Sequence, residues 1–201
     1  MKITAFTGAG ISAASGIPTF EEMGQHIRDK LSRDYYYSNT QEFFKLLYQM
    51  KLVCDRAEPN AAHISIAEHG LPVITMNIDG LHRRAGSKEI VEIHGDLEHA
   101  CCIKCGRQTS LEAAAQNCRC ESCGGLLDSN VVLYGDGLDR LGHAYALVDA
   151  CDVLLVVGTS FFTSTSSIVC DYAKALGKEI IMCNVKAEEQ LPGIIHQLLQ
   201  K

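Results

Sequence analysis

The chain has 201 residues and a formal net charge of −6 at pH 7, with 18 Lys and Arg against 24 Asp and Glu. This acidic balance argues against a nucleic-acid partner, because phosphate binding needs clustered basic side chains. No apolar run is long enough to span a bilayer, and glycines interrupt the N-terminal segment, which makes it a poor secretory signal. A cytoplasmic location without a membrane partner is therefore expected.

The sequence alternates between predicted strands and predicted helices. Short apolar runs predict strands at 2–6, 72–75, 90–93, 153–157 and 179–183, and regular structure resumes at 131–134 after an interruption. Helices are predicted from about residue 12 and at 41–52, 59–69, about 139–150, 167–176 and 194–199, whereas 21–34 is charged and irregular. Several strands end in Gly, Ser, Thr or Asn, which is typical of an open parallel α/β sheet with ligand-binding loops at the carboxyl ends of its strands.

The first predicted strand runs into a glycine-rich turn, Gly8-Ala9-Gly10-Ile11-Ser12, and then into a helix. Such a turn suits a dinucleotide, because glycine lets the backbone approach a pyrophosphate and the helix N-terminus offers free N–H groups. The spacing is not the full six-residue GxGxxG pattern. An ordinary tight turn between strand and helix explains the same residues about as well, so both interpretations stay open.

Six of the ten cysteines lie in the segment 98–127, which interrupts the α/β pattern. Two CxxC pairs separated by fourteen residues can each hold a metal from one tight turn, and together they complete a tetrahedral four-thiolate site. The preferred ligands, which give both pairs the same spacing, are Cys102, Cys105, Cys120 and Cys123. Four protein thiolates leave no position for a reactive water, so the expected zinc is structural.

The remaining cysteines offer alternatives to this assignment. Cys101 and Cys118 make the register of the pairs ambiguous, and free buried cysteines are the alternative to a metal site. The others stand in apolar segments and are expected in the core: Cys54, Cys151, Cys170 and Cys183.

Polar residues follow two neighbouring predicted strands. Asn77, Asp79 and His82 follow the second strand, and His94 follows the third. Histidine is the usual general base near neutral pH, and aspartate can hold a carboxamide or orient a ribose. From composition alone, each of them is more often a structural loop residue.

Loop motifs recur in a fixed order along the chain. They are Gly8-Ala9-Gly10-Ile11-Ser12, Ser15-Gly16-Ile17-Pro18, residues 75–82 (TMNIDGLH), Glu92-Ile93-His94-Gly95, the two CxxC pairs, residues 131–136 (VVLYGD), Gly158-Thr159-Ser160 and Asn184. In this order and spacing, the set resembles the sirtuin family across essentially the whole chain. The sequence opens on its first strand, ahead of which that family usually has a helix.

The resemblance implies an α/β fold: a Rossmann-like parallel sheet with helices on both faces, plus a small zinc-ribbon module. Residues 1–97 and 131–201 would form the NAD-binding domain, with a helical insert at about 21–58, and residues 98–130 would form the ribbon. The implied cofactors are NAD, as co-substrate, and one structural Zn²⁺. The implied partner is an acyl-lysine protein or peptide, which would meet NAD in the cleft between the two parts.

The resemblance also implies an activity, NAD-dependent protein lysine deacetylation or deacylation with release of nicotinamide and O-acyl-ADP-ribose. The acyl oxygen would attack C1′ of the nicotinamide ribose, and His94 would then act as general base on a ribose hydroxyl. Asn77 would position the ribose or a water, and Asp79 would hold the carboxamide.

Two sets of binding residues follow from the same resemblance. The set implied for NAD is Gly8, Ala9, Gly10, Ser12, Ile17, Pro18, Phe20, Met76, Asn77, Ile78, Asp79, Gly158, Thr159, Ser160, Asn184 and Val185. The set implied for the peptide, which would pair as an added strand, is Val132, Leu133, Tyr134 and Gly135. An acyl pocket is expected near 17–23, 35–37 and this peptide segment, although covering an apolar surface is the simpler role for the tyrosines at 35–37.

The sequence departs from the family's usual pattern at three positions close to the expected cofactor. Thr19 and Glu21 replace an aspartate and an arginine, and Met76 replaces a glutamine. A sirtuin-like protein ADP-ribosyltransferase or NAD hydrolase is therefore the alternative. Retention of His94 favours deacylation, because the base is needed after nicotinamide leaves. A non-catalytic NAD-sensing or zinc-ribbon interaction module is a third alternative, but such a module has no need of the intact set Asn77, Asp79 and His94. A monomer is the favoured oligomeric state.

Overall fold

A computed structural model of the chain describes residues 1–160 and 164–200. Its strands, in chain order, are β1 (Ile3–Thr7), β2 (Val73–Thr75), β3 (Ile90–Glu92), β4 (His99–Cys102), β5 (Gln108–Ser110), β6 (Leu127–Ser129), β7 (Val153–Val157) and β8 (Glu179–Cys183). Its α-helices are α1 (Gln25–Arg28), α2 (Arg33–Ser38), α3 (Thr40–Arg56), α4 (Ala61–Glu68), α5 (Leu81–Ala85), α6 (Leu111–Gln116), α7 (Leu141–Ala150), α8 (Ser164–Ala175) and α9 (Ala187–Leu199).

Five strands form one parallel sheet in the order β3-β2-β1-β7-β8. Ala5 in the central strand β1 pairs with Val73 on one side and with Leu155 on the other. Because all five strands are parallel, their carboxyl ends meet along one edge of the sheet. The parallel sheet predicted from the apolar runs is confirmed, and the bounds of β7 and β8 agree with the predicted ones.

The two faces of the sheet are covered by different helices because successive side chains of a strand point to opposite sides. Ala5 belongs to a buried cluster with α4 and α9, whereas the adjacent Phe6 belongs to a cluster with α7 and α8. Both residues are fully buried. Burying a large apolar side chain such as that of Phe6 contributes roughly 1.5–3 kcal/mol. The sheet is thus a doubly covered scaffold of the kind expected for a Rossmann-like fold.

A smaller antiparallel sheet, here called the ribbon sheet, has the order β5-β4-β6 and lies in the chain between β3 and β7. Its buried side chains share one cluster with those of α3, in which Phe43 and Phe44 pack with Ala100, Leu111 and Leu127. Helices from the segment 21–58 therefore pack on the ribbon sheet. The division into residues 1–97 with 131–201 and residues 98–130 stays a prediction.

Three local expectations need correction. The segment after β1 is a 3-10 helix, Ala9–Ser15, which begins before the predicted start at Ser12. The final helix begins seven residues earlier than predicted, at Ala187, and contains Pro192. Residues 131–134 do not form a strand, and Tyr134 makes only an isolated bridge with Ser32. Throughout residues 1–160 and 164–200, no helix combines the length and apolar character needed to cross a membrane.

The tyrosine run at 35–37 does not simply cover a surface. Tyr36 is 1% exposed, its ring packs edge-on against Phe43 and Phe44, and its hydroxyl donates to the Leu127 carbonyl at 2.6 Å. Tyr37, by contrast, is 67% exposed. The hydroxyl explains why a polar aromatic residue is tolerated in this core, since it reaches a backbone acceptor.

Candidate active site

A cavity of about 720 Å³ opens at the carboxyl ends of the parallel strands. The segments after all five strands line it: Gly8, Ala9, Gly10 and Ser12 after β1, Met76, Asn77, Ile78 and Asp79 after β2, His94 after β3, Gly158, Thr159 and Ser160 after β7, and Asn184 after β8. Its volume lies within the range of about 300–1,000 Å³ that is usual for ligand pockets. The structure therefore brings together the polar loops that the sequence places far apart.

Other segments complete the wall of this cavity. The predicted residues Ile17, Pro18, Phe20, Val132, Leu133, Tyr134 and Gly135 all line it. Val185 is not among the lining residues, and its side chain is 66% exposed. The tyrosines at 35–37 do not line it either, so the acyl pocket expected near them is not built from these residues.

The glycines of the first loop are required by a contact between two loops of the protein. The Gly10 N–H donates to the Gly158 carbonyl at 2.8 Å, and a Cβ on Gly10 would lie 2.8 Å from Gly158 Cα. Gly158 has a φ of +62°, and a Cβ there would lie 2.2 Å from the Ile11 nitrogen. Neither position accepts a larger residue without backbone displacement. The loops after β1 and β7 are thereby held together beside the cavity.

A network of hydrogen bonds fixes the polar side chains at the base of the cavity. Ser12 Oγ donates to Asp79 Oδ2 at 2.7 Å and accepts from Asn77 Nδ2 at 3.1 Å. The other carboxylate oxygen of Asp79 accepts from the Leu81 N–H at 2.9 Å. Asn184 serves the neighbouring loop, because its side-chain amide exchanges hydrogen bonds of 3.0 and 2.8 Å with the Thr159 backbone. Each of these side chains is held in one orientation before any ligand binds.

His94 lies at the end of β3 with both ring nitrogens in hydrogen bonds. Nδ1 lies 3.0 Å from the Met76 carbonyl oxygen and Nε2 lies 3.1 Å from Thr165 Oγ1. A carbonyl only accepts, so Nδ1 carries the proton and Nε2 presents its lone pair to the Thr165 hydroxyl. Burial lowers the pKa of His94, which keeps the ring neutral near pH 7. The side chain has the protonation state of a general base.

Two buried histidines lie behind the polar network. The ring centroids of His63 and His82 are 4.9 Å apart, and their Nε2 atoms lie 3.4 Å from Ser12 Oγ and 2.9 Å from Thr7 Oγ1. Burial lowers the pKa of His63 to about 4, although Asp79 opposes this shift. Burial, reinforced by His63, lowers the pKa of His82 to about 3. Both rings are therefore neutral in the folded protein at neutral pH.

The stability of the folded state should fall as the pH is lowered from about 6.5 toward 4. In this window the unfolded chain binds protons at these histidines with the ordinary pKa of 6.5, while the folded chain does not. The free energy of unfolding at pH 5 should be lower than at pH 8 by about 2 kcal/mol for each histidine. Urea unfolding across this pH range measures the effect. His82→Gln should flatten the dependence of unfolding free energy on pH, whereas His143→Gln, at an exposed position, should leave it unchanged. An unchanged pH dependence in His82→Gln would contradict the assignment of this stability loss to the buried histidines.

The four predicted cysteine ligands converge on one point. The Sγ atoms of Cys102, Cys105, Cys120 and Cys123 all lie within 4.8 Å of one another. Gly106 and Gly124, directly after the two pairs, have φ values of +71° and +67°, as the predicted tight turns require. Cys101 and Cys118 do not belong to this cluster, and the four thiols that lie together are those of the preferred register. Four convergent thiols are a donor set that fits a tetrahedral zinc ion. Cys54, Cys151, Cys170 and Cys183 are buried, as expected.

Comparison with known proteins decides the family. The family model described as "Sir2 family" matches residues 8–164. This chain belongs to the Sir2 family. A relative named NAD-dependent protein deacetylase 1, from Pyrobaculum aerophilum, is 34% identical over 225 residues, which cover 96% of this chain and 89% of the relative.

Solved structures of Sir2 proteins share the fold. The crystal structure of a Sir2 homolog–NAD complex has a TM-score of 0.86 and 28% identity, covering 99% of this chain and 90% of that one. A Sir2 structure in complex with an inhibitor, 2′-O-acetyl-ADP-ribose and a deacetylated peptide has a TM-score of 0.83 and 28% identity, covering 100% of this chain and 95% of that one. The resemblance to sirtuins stated from the loop motifs is thus confirmed.

The three unusual positions of this Sir2 protein all lie at the cavity. Thr19 donates through its N–H and its hydroxyl to Glu22 Oε2, at 2.7 and 2.9 Å, which closes a local turn. Glu21 is exposed and lines the cavity, and Met76 lies beside Gly8. None of the described lining residues is Lys or Arg. An anionic ligand in this Sir2 cavity would thus be held by backbone N–H groups and hydroxyls.

Sequence reasoning missed several lining residues. Leu31, Met50 and Cys54 form an apolar part of the wall, and Thr165 holds His94. Met50 and Cys54 are four residues apart on α3 and therefore share a helix face. This shared face is the sequence signal that could have grouped them. That face could not be assigned to the cavity without knowing where α3 lies in this Sir2 fold.

Proposed function

We propose that this chain is an NAD-dependent protein lysine deacetylase with a wider deacylase range, which releases nicotinamide and O-acyl-ADP-ribose. The observation that carries the proposal is the neutral His94, placed in one cavity with Asn77, Asp79 and the glycine loop. One relative is named a deacetylase, which supports the proposal. The solved Sir2 structures support it too, because they contain NAD, an acetylated ADP-ribose and a deacetylated peptide.

The residues present fit NAD. The cavity has room for a cofactor beside the paired loops at Gly8, Gly10 and Gly158, where a Cβ would close the space. The oriented Asp79 carboxylate can accept from the N–H of a carboxamide, and Asn77 lies next to it. When bound, NAD supplies an electrophilic ribose carbon and nicotinamide as leaving group. We assign the remaining predicted NAD residues to the same site, with Val185 at its exposed margin.

His94 would take a proton from a ribose hydroxyl after nicotinamide has left. Its Nε2 lone pair faces Thr165 Oγ1 at 3.1 Å, so the ribose hydroxyl would replace the Thr165 hydroxyl as the partner of Nε2. The Met76 carbonyl would keep the proton on Nδ1 and stabilise the positive charge that the ring gains. His94 thereby has the two features that a base requires, an unprotonated Nε2 that can accept a proton and a fixed tautomer.

A peptide would bind along the segment 131–136, which we call the peptide loop. Leu133 uses its N–H and its carbonyl in contacts with Asp136, and Tyr134 uses both of its backbone groups in contacts with Leu31 and Arg33. We therefore place strand pairing with the peptide at Gly135 and at the Val132 carbonyl, and side-chain contacts at Leu133 and Tyr134. The sequence predicts backbone pairing with the peptide over four residues, and the proposal limits this pairing to Val132 and Gly135.

The acyl group would occupy the apolar part of the cavity, next to Leu31, Met50 and Ile78. No Lys or Arg among the described lining residues can neutralise a terminal carboxylate, and the exposed Glu21 would repel it. Neutral acyl groups longer than acetyl are therefore proposed as substrates, and succinyl or glutaryl groups are not.

We also assign a structural zinc ion to the cysteine cluster. Because four thiols converge on one point, they would fill the tetrahedral coordination sphere of the ion and leave no open position. The cytoplasmic location and the monomeric state expected from the sequence stay predictions.

Purified protein with NAD and an acyl-lysine peptide tests the activity. Nicotinamide and deacylated peptide should appear in equal amounts with acetyl- and butyryl-lysine peptides, and at least about tenfold more slowly with a succinyl-lysine peptide, since burying one unpaired charge costs several kcal/mol. NAD loss that is independent of the peptide would favour the hydrolase instead. ADP-ribose attached to the peptide would favour the transferase, and efficient succinyl removal would contradict the proposed acyl range.

A further inference from the structure

Arg33, at the start of α2, joins two carboxylates from distant parts of the chain. Its Nε and Nη2 donate to Asp136 Oδ1 and Oδ2 at 2.8 and 2.6 Å, and its Nη1 donates to both oxygens of Asp128 at 2.8 and 2.9 Å. The three side chains are only 20–29% exposed. Paired N–H donors in a rigid plane suit two carboxylates at once, which is a geometry that arginine alone provides.

The Asp136 end of this network shapes the peptide loop. Asp136 Oδ2, which binds Arg33, also accepts from the Leu133 N–H at 2.9 Å and so closes the turn at 133–136. The Arg33 N–H donates to the Tyr134 carbonyl at 3.0 Å, and the Tyr134 N–H donates to the Leu31 carbonyl at 3.1 Å. Arg33 therefore contacts the loop through both its side chain and its backbone.

The Asp128 end fixes the loop to the ribbon sheet. Asp128 lies in β6, and the preceding residue, Leu127, accepts the hydrogen bond of buried Tyr36. The Arg33 guanidinium lies over the Tyr36 ring, with Cζ 5.0 Å from the ring centroid. Without the arginine, two carboxylates would face each other at the base of the peptide loop and repel.

We propose that Arg33 is a positioning residue that sets the conformation of the peptide loop and thereby the affinity for the substrate peptide. The inference rests on the proposed function, in which Gly135 and the Val132 carbonyl meet the peptide. Arg33 itself touches neither the glycine loop nor His94 in the described contacts, so NAD binding and the chemical step depend on it only weakly.

Arg33→Gln, Arg33→Lys and Asp128→Asn test the proposal, with exposed Arg56→Gln as the matched control. Arg33→Gln should raise the KM for the acyl-peptide at least about tenfold, the loss expected when charge-assisted hydrogen bonds are removed. Its KM for NAD and its kcat should stay within about twofold of the unmodified chain. Arg33→Lys should fail to restore the KM, because one ammonium cannot hold both carboxylates, and Asp128→Asn should give a smaller rise.

Amide hydrogen exchange provides a readout that does not depend on activity. The Leu133 and Tyr134 amides should exchange faster in Arg33→Gln than in the unmodified chain, whereas the amides of β1 and β7 should not change. Unchanged exchange at both loop amides would overturn the proposal, as would an unchanged peptide KM in an active enzyme. An equal rise in both KM values, with faster exchange throughout the chain, would show a general structural role and also overturn it. An unmodified chain that deacylates no peptide would refute the proposed function while the exchange result still decides the role of Arg33.

Discussion

His94→Ala is expected to lower the rate of peptide deacylation by roughly 10²–10⁴-fold, the contribution that a positioned general base makes. The reason lies in the geometry: Nε2 of a neutral, tautomer-fixed ring faces Thr165 Oγ1 at the cavity wall, and in the proposed mechanism alanine would leave no group to take the ribose proton. The rate of formation of deacylated peptide, followed by mass spectrometry, measures the effect.

The same variant separates the base from earlier steps. In the proposed mechanism nicotinamide leaves before the base acts, so peptide-dependent exchange of labelled nicotinamide into NAD should persist in His94→Ala. Exposed His143→Gln is the control, and the thermal unfolding and zinc content of both variants should stay close to those of the unmodified chain. A His94→Ala enzyme that deacylates at the normal rate would refute the assigned base.

Loss of one of the four proposed cysteine ligands is expected to unfold the ribbon sheet. Cys102 is the last residue of β4 and its thiol faces the other three, so Cys102→Ser should release the metal and lower stability in one step. Because the ribbon sheet shares its buried cluster with α3, the loss should spread to the apolar wall of the cavity and abolish activity.

Metal analysis and circular dichroism before and after chelation measure this effect. Cys101→Ser is a matched control, since Cys101 is adjacent in sequence but lies outside the cysteine cluster. It should keep one zinc per chain and the unfolding temperature of the unmodified protein. A chelated protein that unfolds at the same temperature as the metal-loaded one would show that the metal does not stabilise the fold.

The sequence was most informative where chemistry is local. The run of five apolar residues in β7 is buried on both faces, so its bounds could be predicted from composition alone. The spacing of the CxxC pairs likewise determines which thiols can meet, and the Sγ positions agree with it. The polar loops could be placed at one sheet edge because parallel strands bring their carboxyl ends together.

Contacts between distant segments could not be predicted in the same way. Residues 131–134 have the composition of a strand, yet the Asp136 carboxylate and the backbone of Leu31 and Arg33 take their hydrogen bonds and leave an irregular loop. Tyr36 is in the core because its hydroxyl finds the Leu127 carbonyl, ninety-one positions away. Thr165 lies against His94 because α8 begins there, a neighbourhood that no local pattern encodes.

The position of β1 at the centre of the parallel sheet has a consequence for how the protein is made. Ile3 pairs with Val153, so β1 acquires one of its two neighbours only after the ribbon sheet, which lies between β1 and β7 in the chain, has been synthesised. The ribbon strands lie within residues 99–129 and can pair earlier, because short loops close faster than long ones. Until β7 arrives, β1 has an unpaired apolar edge, which exposes the nascent chain to aggregation and makes closure of β1 on β7 the expected slow step of folding.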